Sequence, residues 1–206
     1  MIYLNIPYSD KKIAKKYGGV WDKHCKKWFC DNEDNELCKL YEPYKNIAII
    51  GENREYGDNS LYIDMIPKTS YFKNVRSIFS NSDWNLIRHH IYERVSYKCE
   101  CCGAKRFKYL EAHERWDFDF TTKKQKLMRI IALCKLCHSA THYGHSSRKT
   151  KNIIKINEHI KKVRGFNDDD LEDHISEAYK IWHTRNKIKW ELDLSIITDS
   201  GFVINS

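Results

Sequence analysis

Alternating apolar and polar positions at the start of the chain predict a small β/α unit. Residues 2–6 alternate as a strand and are followed by a short helix over residues 11–17, with Ser9 or Asp10 as its N-cap. Residues 26–30 read as a second strand. We therefore expect a βαβ-type N-terminal module, and an acidic, turn-rich junction places the domain boundary so that residues 1–45 and 46–206 are separate domains.

The same alternation recurs at both ends of the second domain. Residues 60–66 and residues 190–197 each carry an apolar-Asp-apolar centre within an alternating stretch. Both read as strands, and we expect them to pair with each other, tying the C-terminus to the start of this domain.

Between these stretches the pattern predicts helices around a β-rich centre. The expected helices cover residues 83–95, capped by Ser82 or Asp83, and residues 135–143, ended by Gly144. The remaining expected elements are strands over 107–112, 116–120 and 127–133, and two C-terminal helices, the first ended by Gly165 and the second capped by Asn167. The fold class is therefore α+β.

Composition narrows the class of protein. The chain has 206 residues, of which 41% are hydrophobic and 31% charged, which is typical of a soluble globular protein. It has no apolar run long enough to span a membrane and no signal-peptide pattern, so we expect a cytoplasmic location without membrane association. Thiols stay reduced there, so the eight cysteines favour metal binding over disulfides.

The net charge of +8 favours an anionic partner such as nucleic acid. Two lysine-rich stretches are candidates for phosphate contacts, and a merely solvated face is the alternative for both. The candidates are Lys11, Lys12, Lys15 and Lys16 in the first module and Lys149, Lys151, Lys155 and Lys162 near the C-terminus.

Two Cys-x-x-Cys pairs about 30 residues apart predict a structural zinc site. The pairs are Cys99 with Cys102 and Cys134 with Cys137, and Gly103 permits the tight turn of the first knuckle. Cys101 is an alternative ligand in a shifted register.

Three histidines near these pairs predict a second metal site. His138 and His142 are four residues apart, so they share one helical face. His113 lies at the end of a predicted strand, and placed opposite the helix it completes a site for a divalent cation.

Two consecutive sequence motifs resemble those of the HNH endonucleases with their ββα-metal fold. They are Leu-Glu-Ala-His-Glu-Arg-Trp-Asp and Ala-Leu-Cys-x-x-Cys-His-x-x-x-His-x-Gly. The resemblance implies metal-dependent cleavage of DNA, with Mg²⁺, Mn²⁺ or another divalent ion held by His138 and His142 and with zinc bracing the hairpin. It implies that His113 is the general base. In the alternative register His113 is a metal ligand and Glu114 takes the position of the base.

The chain departs from this family at one position. The family's Asn normally precedes the second knuckle, but residues 105–151 contain no Asn, and Arg129 stands nearest to its place. Arg129 is a further candidate contact to nucleic acid. The alternative to a nuclease is a zinc-dependent DNA-binding or interaction protein whose degenerate site does not cut.

The N-terminal stretch resembles a short domain of unknown function found near the start of some plasmid and phage DNA-processing proteins. Its distinctive residues are Trp21-Asp22 and Lys27-Trp28. The resemblance implies a role connected with DNA in phage or mobile-element biology.

Overall fold

The computed structural model describes residues 2–4, 6, 8–23, 27–41, 48–70, 75–105, 110–147 and 150–204. The chain is mixed α+β and divides into two units, Met1–Ile47 and Ala48–Ser206. No helix in the described part of the chain is long and apolar enough to span a bilayer.

The first unit is a three-stranded antiparallel sheet with two short helices. The central strand β3 pairs with β1 on one side and with β2 on the other. In chain order the elements are β1 (Ile2–Leu4), α1 (Lys11–Lys16), β2 (Val20–Asp22), β3 (Lys27–Cys30) and α2 (Glu36–Leu40). The two predicted strands and the helix are present, and the edge strand β2 is an additional strand that the sequence analysis does not predict.

The core of the first unit consists of Leu4, Cys30 and Leu37. The predicted cap of α1 is wrong in its chemistry. Asp10 occupies the N-cap position but makes no capping hydrogen bond, because its carboxylate accepts a hydrogen bond of 2.8 Å from the hydroxyl of Tyr41.

The second unit is built on a long β-hairpin with helices around it. Its strands are β4 (Leu110–Asp119), β5 (Lys124–Cys134) and β6 (Glu191–Asp193). Its helices are α3 (Val75–Ile78), α4 (Asn81–Arg94), α5 (Lys135–Thr141), α6 (Tyr143–Ser146), α7 (Thr150–Arg164), α8 (Asp168–Arg185) and α9 (Ser195–Thr198).

The hairpin replaces the three strands that the sequence predicts. The first two form the single strand β4, which pairs with β5 around one irregularity between Arg115 and Trp116. The polar run His113-Glu114-Arg115 suggests a break between two strands. In the fold the pairing with β5 continues through all three residues, so β4 is one strand. The predicted residues 107–109 lie outside the described part of the chain.

The predicted pairing of residues 60–66 with residues 190–197 is wrong. The first stretch is extended but forms no strand, because its amides are bonded elsewhere: Asp64 N donates to Thr141 O at 3.0 Å and Ile63 N to the His174 ring at 3.1 Å. The second stretch is β6 followed by α9, and β6 pairs in parallel with β5.

Two helix boundaries differ from the prediction, the start of α4 and the end of α5. Helix α4 begins earlier than predicted, because the Ser80 hydroxyl caps it by accepting a hydrogen bond from Asp83 N. The predicted helix 135–143 breaks at His142, and Gly144 lies inside α6, where an added Cβ would come 2.7 Å from the sulfur of Met65. That glycine therefore permits close packing and does not end the helix.

The C-terminal helices follow the prediction closely. Gly165 adopts a left-handed conformation with φ of 70° after α7. Asn167 and Asp170 form a capping box at the start of α8. Helix α7 packs on α5, and its Ile156 and Ile160 are buried.

Candidate metal centres

Four cysteine sulfurs converge where the hairpin meets α5. The ligand atoms of Cys99, Cys102, Cys134 and Cys137 all lie within 4.8 Å of one another. The sulfurs of Cys102 and Cys134 are 3.7 Å apart, whereas four sulfurs held tetrahedrally at about 2.3 Å from zinc are about 3.8 Å apart. This spacing fits a tetrahedral ion and is too long for a disulfide of about 2.05 Å.

Local backbone geometry builds the two halves of this cluster. In the first knuckle, Gly103 has φ of 71° and its amide donates to Cys99 O at 2.8 Å, which turns the chain sharply. In the second, Cys134 ends β5 and is the N-cap of α5, so the helix begins between the two ligands. Cys101 lies outside the cluster, near the Ser60 carbonyl and the Arg115 guanidinium. The register with Cys102 is therefore the one that brings four sulfurs together.

The electrostatics of this cluster favour thiolates only when a cation is bound. The interaction with the Cys134 sulfur is the main cause that raises the pKa of Cys99 to about 12, and burial adds to it. Without a positive charge at the centre, four neighbouring thiols cannot all be thiolates near pH 7. Backbone amides of Cys102 and Cys134 donate to the Cys99 sulfur and partly offset this effect.

A buried ion pair joins the first knuckle to the hairpin. The Arg129 guanidinium donates to the Glu100 carboxylate at 2.7 Å and to the Asp58 carbonyl at 2.6 Å, and Glu100 accepts from Ala132 N at 2.6 Å. Arg129 is 2% exposed. That Arg129 contacts nucleic acid stays a prediction; in this fold its guanidinium is bonded to groups in the interior.

The three predicted histidines also converge. The ligand atoms of His113, His138 and His142 lie within 4.8 Å of one another, and their ring centroids are 4.6 to 5.4 Å apart. His113 comes from β4, while His138 lies in α5 and His142 at its C-terminal end. The hairpin and the following helix therefore bring the rings to one point.

Two of these imidazoles, His113 and His142, are held in the neutral form. Burial and the neighbouring rings lower the pKa of His113 well below its usual value and that of His142 to about 4. Both ring nitrogens of His113 are buried without a hydrogen-bond partner among the described residues. Neutral imidazoles present lone pairs, so a divalent ion fits this donor set and would satisfy the unpaired nitrogen.

Glu111 fixes the orientation of one of these rings. Its carboxylate lies 2.7 Å from Nδ1 of His138, and this interaction lowers the pKa of Glu111. A proton held on Nδ1 leaves Nε2 free to coordinate a metal. Glu111 and His113 are two residues apart on β4 and therefore share a face.

Glu114 lies on the opposite face of the strand. Its carboxylate accepts a hydrogen bond of 3.1 Å from Val75 N at the start of α3, and burial raises its pKa. It is not among the residues whose ligand atoms meet at the three rings. A carboxylate can accept several hydrogen bonds, so this contact leaves it capacity for another.

The lysines predicted to contact nucleic acid are only partly described. Lys155 and Lys162 are exposed on α7 and seven residues apart, so they project from one face. Lys149 and the side chain of Lys151 lie outside the described part of the chain.

Sequence reasoning missed two residues that touch the ligands. Glu111 has a local signal, because a carboxylate two positions before a strand histidine shares its face. His159 has none: it comes from α7, and its Nε2 is 3.1 Å from the Cys137 sulfur. Its position depends on how two helices pack, which spacing does not reveal.

Comparison with known proteins identifies a likeness only in the first unit. Residues 1–38 match a family described as a domain of unknown function, DUF5710. No curated protein and no solved structure matches the chain. The match covers β1 to β3 and most of α2 and leaves the two ligand clusters outside it.

Proposed function

We propose that this protein is a divalent-metal-dependent endonuclease that hydrolyses phosphodiester bonds in DNA, acting in phage or mobile-element biology. The observation that carries the proposal is the convergence of His113, His138 and His142 on a hairpin and helix next to four clustered cysteines. A strand pair followed by a helix, with ligands from both, is the arrangement that the resemblance to HNH nucleases implies.

In this proposal the four cysteines hold a structural zinc ion and the three imidazoles hold the catalytic ion. Imidazole nitrogens suit Mn²⁺, Co²⁺, Ni²⁺ or Zn²⁺ better than Mg²⁺, which prefers oxygen ligands. His113 is a ligand here and not the base, because it is 1% exposed and its ring meets the other two.

A bound divalent ion supplies Lewis acidity toward the phosphate and lowers the pKa of a coordinated water. The chain supplies the geometry: Glu111 holds the ring of His138 in one tautomer. In the register that the resemblance offers, Glu114 takes the position of the base once its carboxylate leaves the Val75 amide, and burial raises its pKa toward neutral pH.

A second candidate is a DNA-binding protein that does not cut. Three observations favour it. The family's Asn is missing, and Arg129, nearest to its place, is buried in an ion pair with Glu100. Glu114 is also held by the Val75 amide.

Cleavage of supercoiled plasmid separates the two candidates. We expect the wild-type protein to nick plasmid with Mn²⁺, Co²⁺ or Ni²⁺ more rapidly than with Mg²⁺. His142→Ala and Glu114→Gln should each lose at least about a hundredfold in rate, since general base catalysis alone contributes about 10²–10⁴-fold. Glu114→Gln should still bind the metal, whereas His142→Ala should not.

The matched control is His183→Ala, which removes an exposed histidine of α8 and should cleave like wild type. Zinc content and far-UV circular dichroism confirm that each variant is folded. Metal-dependent DNA binding without cleavage by wild-type protein, under every metal tested, would establish the non-cutting candidate instead.

A further inference from the structure

Helix α7 contacts the cysteine cluster through the side chain of His159. Nε2 of His159 lies 3.1 Å from the sulfur of Cys137. His159 is half-buried, and its neighbours Ile156 and Ile160 lie in the core. Its ring is therefore held at the sulfurs by the packing of α7 against α5.

A buried ion with four thiolates carries a net charge of −2, which hydrogen-bond donors must offset. Backbone amides supply donors to Cys99, from Cys102 and Cys134, and the Cys137 amide donates to Cys134. The polar group beside the Cys137 sulfur is an imidazole from a distant part of the chain.

We propose that His159 is a positioning residue of the zinc site, donating its Nε2 proton to the Cys137 thiolate, and that this bond links the docking of α7 to the bound metal. The coupling is reciprocal: the bound ion favours the docked position of α7, and the docked helix favours the bound ion. Because Lys155 and Lys162 are exposed on α7, loss of the ion would also release a basic surface. The inference does not depend on whether the protein cuts DNA.

A second contact limits how far α7 can move when the His159 contact is lost. The hydroxyl of Tyr143 in α6 donates to the side-chain oxygen of Asn157 at 3.0 Å. Helix α7 therefore keeps one polar anchor and its apolar stripe when the sulfur contact is lost, so the expected change is loosening and not unfolding.

The test measures zinc release from full-length, zinc-loaded protein into an excess of a chromophoric chelator. Removing an outer partner of a metal ligand typically weakens metal affinity about 10–100-fold, so His159→Leu should release zinc about tenfold faster or more. His159→Gln retains an N–H donor and should recover part of the loss. The control His183→Leu makes the same chemical change at an exposed site on α8.

Two further readouts keep the test decisive if His159→Leu is less stable. The cobalt-substituted wild-type protein should show the charge-transfer intensity of four thiolates, and His159→Leu should shift the energy of that band without reducing its intensity. Hydrogen exchange of α7 amides should be faster in zinc-loaded His159→Leu than in wild type.

Release rates of His159→Leu within about twofold of wild type, with an unchanged cobalt spectrum, would overturn the inference. A wild-type cobalt spectrum with three thiolates and one imidazole would overturn it as well, because His159 would then be a ligand.

Discussion

His113 occupies a position in the hairpin where an apolar residue would be expected. It pairs across the sheet with Ile131 and is almost fully buried, and neither ring nitrogen has a partner among the described residues. A buried polar group left unpaired costs about 1–3 kcal/mol. A fold keeps such a group where another requirement outweighs that cost, and coordination of a cation between three rings is the requirement that fits here.

Glu111 should control metal affinity at the three rings. We expect Glu111→Ala to weaken binding of Mn²⁺ or Co²⁺ about 10–100-fold, because His138 loses the carboxylate that fixes its tautomer. Glu111→Gln should lose less, since the amide oxygen still accepts a hydrogen bond. Isothermal titration calorimetry measures the change, and Glu172→Ala, an exposed acid of α8, is the control. Equal affinities in all variants would contradict this role.

His174 should make stability depend on pH. Its ring accepts a hydrogen bond from Ile63 N, so it must be neutral at that nitrogen, and burial followed by the charge of Arg164 lowers its pKa. The unfolded chain therefore binds the proton first, and stability falls as pH drops below the unfolded value of about 6.5 toward the lower folded value.

Urea unfolding of wild type and His174→Leu at several pH values between 7.5 and 5.5 tests this point. The variant leaves Ile63 N without its acceptor, which should cost about 1–3 kcal/mol at pH 7.5. That deficit should shrink as pH falls, because only the wild type loses the histidine's contribution. A deficit that stays constant or grows toward pH 5.5 would rule the mechanism out.

At the scale of elements, the ligand-bearing pieces were the most predictable. The spacing of the cysteines and of His138 and His142 constrains the local chain, so the knuckles and helix α5 follow from the sequence. That residues 60–66 form no strand was not predictable, because the alternation follows burial of the side chains while the amides of Asp64 and Ile63 bond to Thr141 and His174. Period-two burial reports which side chains face the core but not which backbone groups pair.

Helix α7 should contribute to nucleic-acid affinity through Lys155 and Lys162. Each lysine that neutralises a phosphate adds about 0.9 to the slope of log K against log salt for duplex DNA. The double variant Lys155→Gln with Lys162→Gln should therefore lower the slope by about 1.8. Fluorescence anisotropy across a salt series measures it.

The matched control is Lys180→Gln with Lys187→Gln, which removes the same charge from exposed positions at the end of α8 and just beyond it. If both double variants reduce the slope equally, the effect belongs to net charge and not to α7.

At the scale of the whole molecule, each of the two units has its own core. The core around Leu4, Cys30 and Leu37 lies entirely within the first unit, and both ligand clusters belong to the second. The DUF5710 match falls within the first unit, so its likeness carries no information about the ligand clusters. The two units should therefore respond differently to loss of metal.

Removal of zinc should unfold or loosen the second unit selectively. A structural zinc site contributes about 10 kcal/mol or more to folding, so a strong chelator should abolish slow hydrogen exchange in β4, β5 and α5. Amides of β1 and β3 should keep their protection. Cys134→Ser should reproduce the pattern without chelator, and a simultaneous loss of protection in β1 and β3 would contradict the separation.

Cys137 and His138 are consecutive residues of α5, one facing the sulfurs and the other the imidazoles. Each residue of an α-helix turns the chain by about 100°, so the side chains of Cys137 and His138 point toward different ligand clusters. Inserting a single alanine between them would leave the four sulfurs in place and rotate His138 and His142 away from His113. The separation of the two ligand clusters is thus set by the helix, and lengthening this junction by one residue would leave only one of the two clusters assembled.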